Sequence, residues 1–302
     1  MSLTIAAAGA VGQDDLTGLP ESSSRSRTVL RWSRHHKTLI VSSTVFTVAL
    51  LFAVVPGLFT HYDPIAIDNT QKLLPPSGEH WFGTDLLGRD LFSRIVYGAR
   101  ASLLGASMAV AVAVFVGSLL GALAGWFGGW SDTVVMRLVD VLLSIPGFLL
   151  AITIVVLYTA RTGSAGLVPA AIAVGLTSSA TFARLIRAEV LRVRASTYVE
   201  AAVTSGATTA AILRRHVIPN SLAPTVSLIA VQLGIAIIWI ASLSFLGLGA
   251  QPPEPEWGLL VADGRKYIAT RGWLTLFPAL TIIAVVLSTN HISRHLSKRG
   301  HR

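Results

Sequence analysis

Six long stretches of the chain carry no charged residue, and they constrain the fold more than any other feature. Each is at least 20 residues long, the length that an α-helix needs to cross the roughly 30 Å hydrocarbon core of a bilayer. We therefore predict an all-α, polytopic membrane protein with six transmembrane helices. The charge-free windows are residues 38–62, 101–131, 141–160, 162–183, 216–253 and 272–293.

The charged residues between these windows predict the orientation. Only 13% of the 302 residues are charged and the net charge is +9, whereas a soluble domain carries roughly 25% charged residues. The basic residues lie at the ends of apolar windows and not among aromatic residues, which argues against a nucleic-acid partner. With a cytoplasmic amino terminus, the inside segments hold 15 Lys and Arg and the outside segments hold 8. The positive-inside rule thus predicts an inner or plasma membrane protein with both termini in the cytoplasm.

The windows divide the chain into five expected regions. Pro56 and Gly57 close the first window, and Trp273 opens the last. The fifth helix is expected over 223–246, because Pro219 and Pro224 come early in a window too long for one crossing. The regions are a flexible cytoplasmic tail (1–37), a first transmembrane helix (38–59), an extracytoplasmic segment (60–100), a five-helix transmembrane domain with an inside loop at 187–219 (101–293), and a basic cytoplasmic tail (294–302).

A few charges near the windows require a separate interpretation. Arg137 and Asp140 are three residues apart in the third hydrophobic region, so they are expected to share a helix face and neutralise each other. Asp85, Arg89 and Asp90 lie in the outside segment. We expect these three to form a solvated turn whose salt bridges contribute little to stability.

No pattern for catalysis is present. The sequence lacks a Gly-x4-Gly-Lys-Ser/Thr phosphate loop, a His-Glu-x2-His metal motif and a Gly-x-Ser-x-Gly nucleophile, and it has no cysteine. We therefore predict no catalytic residue, no metal site and no enzyme activity. The middles of the second, fourth, fifth and sixth windows also lack the charged residues that ion-coupled carriers use. An energy-supplying partner is favoured, and an ion-coupled secondary carrier remains the alternative of another class.

The inside loop between the fourth and fifth windows has a distinct pattern. Gly206 permits a sharp reversal with positive φ, Thr208 can cap a short helix, and Pro219 suits the first turn of the next span. Several residues of this loop are alanines, whose small side chains let a partner approach the backbone closely. The loop is therefore expected to form a short helix across the cytoplasmic face.

This loop resembles the Glu-Ala-Ala signature of permease subunits of ABC importers. The family pattern is Glu-Ala-Ala, three residues, Gly, nine residues, Ile, any residue, Leu and Pro. His216 departs from the pattern by replacing the Ile. The resemblance implies a type I ABC importer permease fold and a coupling helix that docks on the ATPase subunit. The residues that it assigns to ATPase coupling are Glu200, Ala201, Ala202, Gly206, Ile218, which stands for the Leu, and Pro219.

Other stretches narrow the resemblance to one branch. Residues 80–100, 136–146, 215–220 and 242–253 resemble the C-type permease of dipeptide and oligopeptide importers. This implies peptide as cargo, while nickel or another small solute stays an alternative because nickel importers share the pattern. The implied partners are a second, B-type permease that completes a heterodimer, two ABC ATPase domains that bind ATP and Mg, an extracytoplasmic solute-binding protein, membrane lipid and the peptide. No cofactor is expected in this chain, and the substrate-binding residues are unknown.

Overall fold

The structure is a computed structural model that describes residues 22–212, 214–215 and 218–299. These residues form ten α-helices and, within those ranges, no strand, so the all-α prediction is confirmed. Two short 3-10 turns, Pro56–Leu58 and Arg265–Tyr267, complete the regular structure. The helices are α1 (Ser22–Val54), α2 (Leu91–Phe127), α3 (Gly129–Ser144), α4 (Gly147–Thr162), α5 (Leu167–Arg194), α6 (Thr197–Thr204), α7 (Thr209–Ile212), α8 (Ile218–Phe245), α9 (Trp257–Gly264) and α10 (Trp273–Arg299).

Five of the described helices are long and apolar enough to cross a membrane singly: α1, α2, α5, α8 and α10. The third window forms α3 and α4, which qualify only as a pair and are bent by 94° at their junction. The bend follows from Pro146, because a proline disfavours the helical conformation of the residue before it. Ile145 is accordingly extended, with φ −91° and ψ 133°. The six predicted spans thus correspond to five single helices and one bent helix pair.

The helix ends differ from the expected boundaries in three places. α1 ends at Val54 and not near residue 59, because Pro56 begins a separate 3-10 turn. α5 continues to Arg194, so the inside loop is shorter than 187–219. α8 begins at Ile218, five residues before the expected start, and accommodates Pro224 in its second turn. The sixth span begins at Trp273 as predicted.

α2 and α5 make the most extensive helix contact among the described residues. Glycines on both helices allow the backbones to approach closely, as small residues do in membrane helix pairs. A Cβ placed on Gly117 of α2 would lie 2.5 Å from the Phe182 Cβ, and one on Gly175 of α5 would lie 2.6 Å from the Ala109 carbonyl oxygen. The helix pair therefore has no room for even a methyl group at these positions.

The outside segment is held by buried charges, so the prediction of a solvated turn was wrong. Asp85, Arg89 and Asp90 are all buried. The Asp85 carboxylate accepts a hydrogen bond from Arg89 Nε at 2.7 Å. It also lies 3.5 Å from Nε of Arg94, a residue that is 1% exposed. Arg94 Nη2 lies 3.8 Å from Asp263 of α9. Arg94 and Asp263 are far apart in the chain, so this cluster could not be predicted from local sequence patterns.

This cluster fixes the outer end of α2 against neighbouring segments. Arg94 Nη1 donates to the Pro64 carbonyl at 3.2 Å. Asp90 caps α2 by accepting from the Ser93 amide at 2.7 Å, and it also contacts His80 Nδ1 at 2.9 Å. Burial raises the pKa of the Asp263 carboxyl, against the attraction of Arg94. Removing one member would leave a buried charge uncompensated, which makes the cluster a structural element of the outer face.

α9 is a second anchor at the same end of the bundle. Glu256 is 0% exposed and caps α9 by accepting a hydrogen bond from the Leu259 amide at 3.0 Å. Its other oxygen accepts from Ser102 Oγ of α2 at 2.7 Å. Trp257 is also fully buried, and its indole donates to the Ile95 carbonyl of α2 at 2.9 Å. α9 is therefore attached to the outer half of α2 through side-chain hydrogen bonds.

Ion pairs join α3 to α5 instead of forming within α3. Asp140 accepts a hydrogen bond from Arg184 Nη2 at 2.9 Å. The prediction that Asp140 pairs with Arg137 was therefore wrong. Nearer the start of α3, Asp132 accepts from Arg187 Nη2 at 2.6 Å. Arg184 and Arg187 lie on the part of α5 that packs beside α3. The spacing of residues along α3 alone does not reveal this contact.

The close contact of α2 and α5 makes a stability prediction. A Gly175→Ala change should lower the stability of the protein by about 1–3 kcal/mol, because the new methyl group would meet backbone and side-chain atoms of α2. Thermal unfolding of the detergent-solubilised protein measures this. Gly78→Ala is the matched control, since a Cβ there meets nothing within 4 Å. Equal unfolding midpoints for the two variants would show that α2 and α5 are not in close contact at Gly175.

Candidate functional site

The segment that follows α5 lies across the end of the bundle where α2 and α5 finish, and it forms two short helices. α6 and α7 are separated by a turn at Gly206, whose φ is +81°, as the sequence predicted. Thr208 caps α7 by accepting from the Ala211 amide at 3.3 Å, which was also predicted. We call Thr197–Ile212, comprising α6, the turn and α7, the coupling segment.

Two apolar side chains fasten the coupling segment to the helix bundle. Val199 of α6 is 2% exposed and Ile212 of α7 is 1% exposed. Both pack in one cluster with Val190 and Val193 of α5, and Trp126 at the end of α2 lies against the same cluster. Because fully burying a side chain of this size contributes about 1.5–3 kcal/mol, the coupling segment is attached to the inner ends of α2 and α5.

Hydrogen bonds at both ends add to this attachment. Arg194, the last residue of α5, donates through Nη1 to the Trp126 carbonyl at 2.8 Å. A cation is favourable there because Trp126 lies in the last turn of α2, where carbonyl groups lack helical partners. On the far side, Asn220 of α8 donates to the Tyr198 hydroxyl of α6 at 3.2 Å. The coupling segment is thus connected to α2, α5 and α8.

A groove of about 450 Å³ runs along the coupling segment. Its apolar floor is formed by Trp126, Val199 and Ile212, and Glu200 and Arg194 line its polar side. Glu200 is exposed, and no ion pair to its carboxylate occurs within the described part of the chain. The groove therefore offers a partner the accessible carboxylate of Glu200 near the partly exposed ring of Trp126.

The structure brings most of the sequence-predicted residues to this one place. Glu200 and Ala201 are exposed on α6, and Gly206 is exposed at the turn. Pro219 is exposed in the first turn of α8. Ala202 and Ile218 are placed by backbone only, and His216 lies outside the described residues.

Sequence reasoning missed the residues that hold the coupling segment in position. These are Val199 and Ile212, the Arg194 contact to Trp126, and the bond between Tyr198 and Asn220. The available signal was the presence of large apolar residues on both sides of the Gly206 turn, among alanines and polar residues. Its meaning depends on where α2 and α5 end, which the sequence alone did not give.

The structure is that of a helical membrane protein whose α5 and α8 are joined by a short helix–turn–helix segment. The chain belongs to the family described as binding-protein-dependent transport system inner membrane component, whose model matches residues 117–302. It is accordingly a transport permease and not a catalytic enzyme. The family, together with the five apolar helices, places it in the membrane.

Several curated relatives share most of this chain. A probable D,D-dipeptide transport system permease protein, DdpC of Escherichia coli, is 41% identical over 86% of both chains. The dipeptide transport system permease protein DppC of Alkalihalophilus pseudofirmus is 39% identical over 88% of this chain and 86% of its own. The glutathione transport system permease protein GsiD of Salmonella typhimurium is 42% identical over 86% of this chain and 84% of its own.

Solved structures support the fold. The inward-facing MetNI methionine ABC transporter matches with a TM-score of 0.57 and 18% identity, over 70% of this chain and 98% of its own. An amino acid ABC transporter with histidines matches with a TM-score of 0.53 and 16% identity, over 69% and 94% of the two chains. The predicted ABC importer permease fold is therefore confirmed.

Proposed function

We propose that this chain is one half of a heterodimeric permease through which di- or oligopeptides enter the cell, driven by ATP hydrolysis in partner subunits. The observation that carries the proposal is the similarity to relatives named for dipeptide and glutathione transport, which extends over 86–88% of this chain.

The coupling segment supports an energy source in another subunit. It presents an exposed carboxylate, Glu200, and a tight turn at Gly206 on the same side of the bundle. Its anchors, Val199 and Ile212, belong to a cluster with α5 and α2. A displacement applied to the coupling segment by a closing ATPase would therefore act on these two helices, which is how a local contact can bias two arrangements of the spans.

The remaining partners follow from the same proposal. A second, B-type permease would complete the pathway, two ABC ATPase domains would bind ATP and Mg, and an extracytoplasmic solute-binding protein would deliver the peptide. In this arrangement both termini and the coupling segment lie in the cytoplasm, and residues 60–90 and α9 lie outside. Nickel or another small solute is the alternative cargo, and an ion-coupled carrier is the alternative mechanism.

Accessibility of single cysteines tests the orientation. The natural chain has no cysteine, so each engineered thiol reports one position without background. Thiols at the exposed positions Ser77 and Glu254 should react with an impermeant reagent added outside. A thiol at Ala195, beside the coupling segment, should react only from the cytoplasm. The reverse pattern would invert the topology and remove the ATPase from the side of the coupling segment.

Two substitutions test the coupling mechanism. Gly206→Val should introduce about 1–3 kcal/mol of backbone strain at φ +81°, and Glu200→Lys should invert the charge offered to the ATPase. Both variants should insert and pair with the second permease but lose ATPase binding or peptide-stimulated hydrolysis. Co-purification with the ATPase, ATP hydrolysis and peptide uptake of the assembled transporter measure these losses. The isolated chain should hydrolyse no ATP.

Matched changes on the outer side serve as controls. Gly163→Val introduces the same kind of backbone strain, because Gly163 has φ +71° and a Cβ there also meets nothing within 4 Å. Gly163 follows α4 and is therefore outside the coupling segment. Glu79→Lys makes the same charge inversion on the outside segment, where Glu79 is exposed. Normal uptake in the Gly206 and Glu200 variants would refute the coupling assignment, as would equal losses in the controls.

A further inference from the structure

A cavity of about 680 Å³ opens at the outer face of the bundle. Small-molecule sites in proteins have volumes of about 300–1,000 Å³, so this cavity is of suitable size for a small solute. It lies beside Arg100 of α2, which is about 40 Å along that helix from Trp126 at the coupling segment. The outer cavity and the groove on the coupling segment are therefore separate sites.

The lining of the outer cavity combines charges of both signs with aromatic rings. Arg100 comes from α2, Asp63 from the outside segment and Glu254 from the loop before α9. All three side chains are exposed, and none forms an ion pair within the described ranges of the chain. Tyr62 and Tyr97 line the same space. The cavity thus offers one cation and two carboxylates that have no ionic partner in the part of the chain described.

Buried anchors fix the walls that carry these charges. The loop with Asp63 is held by the bond from Arg94 to the adjacent Pro64 carbonyl, and Asp63 itself accepts from the Ile65 amide at 2.8 Å. The loop with Glu254 is held two residues later by the bond between Glu256 and Ser102 of α2. Arg100 stands on α2 itself. Sites of this kind bind well because little freedom is lost when the ligand arrives.

We propose that the outer cavity receives the two charged ends of a short peptide, with Arg100 binding the α-carboxylate and Asp63 and Glu254 binding the α-ammonium group. This inference rests on the proposed function, which supplies the peptide. A guanidinium matches a carboxylate through paired N–H donors, and two carboxylates match an ammonium group with three donors. The tyrosine rings supply apolar surface with a polar edge for the part of the peptide between its ends.

Photocrosslinking in the complete transporter tests the assignment. A benzophenone amino acid replaces Leu104, which lines the outer cavity and is 57% exposed. The reconstituted transporter with its solute-binding protein is illuminated during uptake of a radiolabelled dipeptide. We expect label on this chain at Leu104 and none when the same group replaces Leu119, which is 53% exposed on α2 but does not line the cavity.

Charge variants in the Leu104-substituted protein then identify the contacts. Arg100→Gln should lower the crosslink yield and the uptake at limiting peptide about tenfold or more, the effect of one charge-assisted hydrogen bond. Glu254→Gln should act in the same direction, Arg100→Lys should restore part of the yield, and Lys72→Gln and Glu79→Gln should change neither reading.

The outcomes separate this inference from the proposed function. Normal peptide uptake without label at Leu104 overturns the cavity assignment alone, as does an unchanged yield in Arg100→Gln. A crosslink from Leu104 to the second permease overturns it too, by assigning the cavity to the subunit interface. Failure of the wild-type transporter to import any peptide overturns the proposed function and this inference with it.

Discussion

Close contact between α2 and α5 is the constraint on which the other parts of this molecule depend. Gly117 and Gly175 have no space for a side chain because the facing helix lies against their Cα atoms. In lipid, where neighbouring helices gain little from the hydrophobic effect, this close van der Waals contact is a main source of helix association. The pair runs between the two faces of the bundle, so its ends determine where the inner and outer features are placed.

Both functional surfaces are attached to that pair by interactions of different kinds. At the inner end, Val199 and Ile212 bury apolar side chains against α5 and α2, which suits a segment that must be held and yet be exposed on its other side. At the outer end, Arg94 and Glu256 are fully buried polar groups with directional partners. Directional bonds fix the outer loops more narrowly than apolar contact would, and this preorganises the outer cavity.

The sequence predicted those features that local chemistry decides. Charges are excluded from hydrocarbon, so the windows gave the spans, and the glycine at position 206 and the threonine at 208 gave the turn and cap of the coupling segment. Prediction from the sequence failed where a side chain's interaction partner lies far away in the chain. Asp140 pairs with Arg184 of another helix, and the outer turn is buried because α9 returns to cover it. Pro146 was present in the sequence, but the approach of Trp239 to Gly147 beside the 94° bend comes from a distant part of the chain.

The proposed coupling mechanism requires α2 and α5 to move as one body when a partner ATPase acts on the coupling segment. Spin labels at Phe127 on the inner end of α2 and Val168 on the outer end of α5 test it, since both side chains are exposed. Distances are measured by electron paramagnetic resonance in the assembled transporter, without nucleotide and with ATP trapped, and a pair of labels on the ATPase subunits reports their closure. The account predicts an unchanged distance between Phe127 and Val168 while the ATPase labels approach each other. A shift of the Phe127–Val168 distance on closure would contradict it.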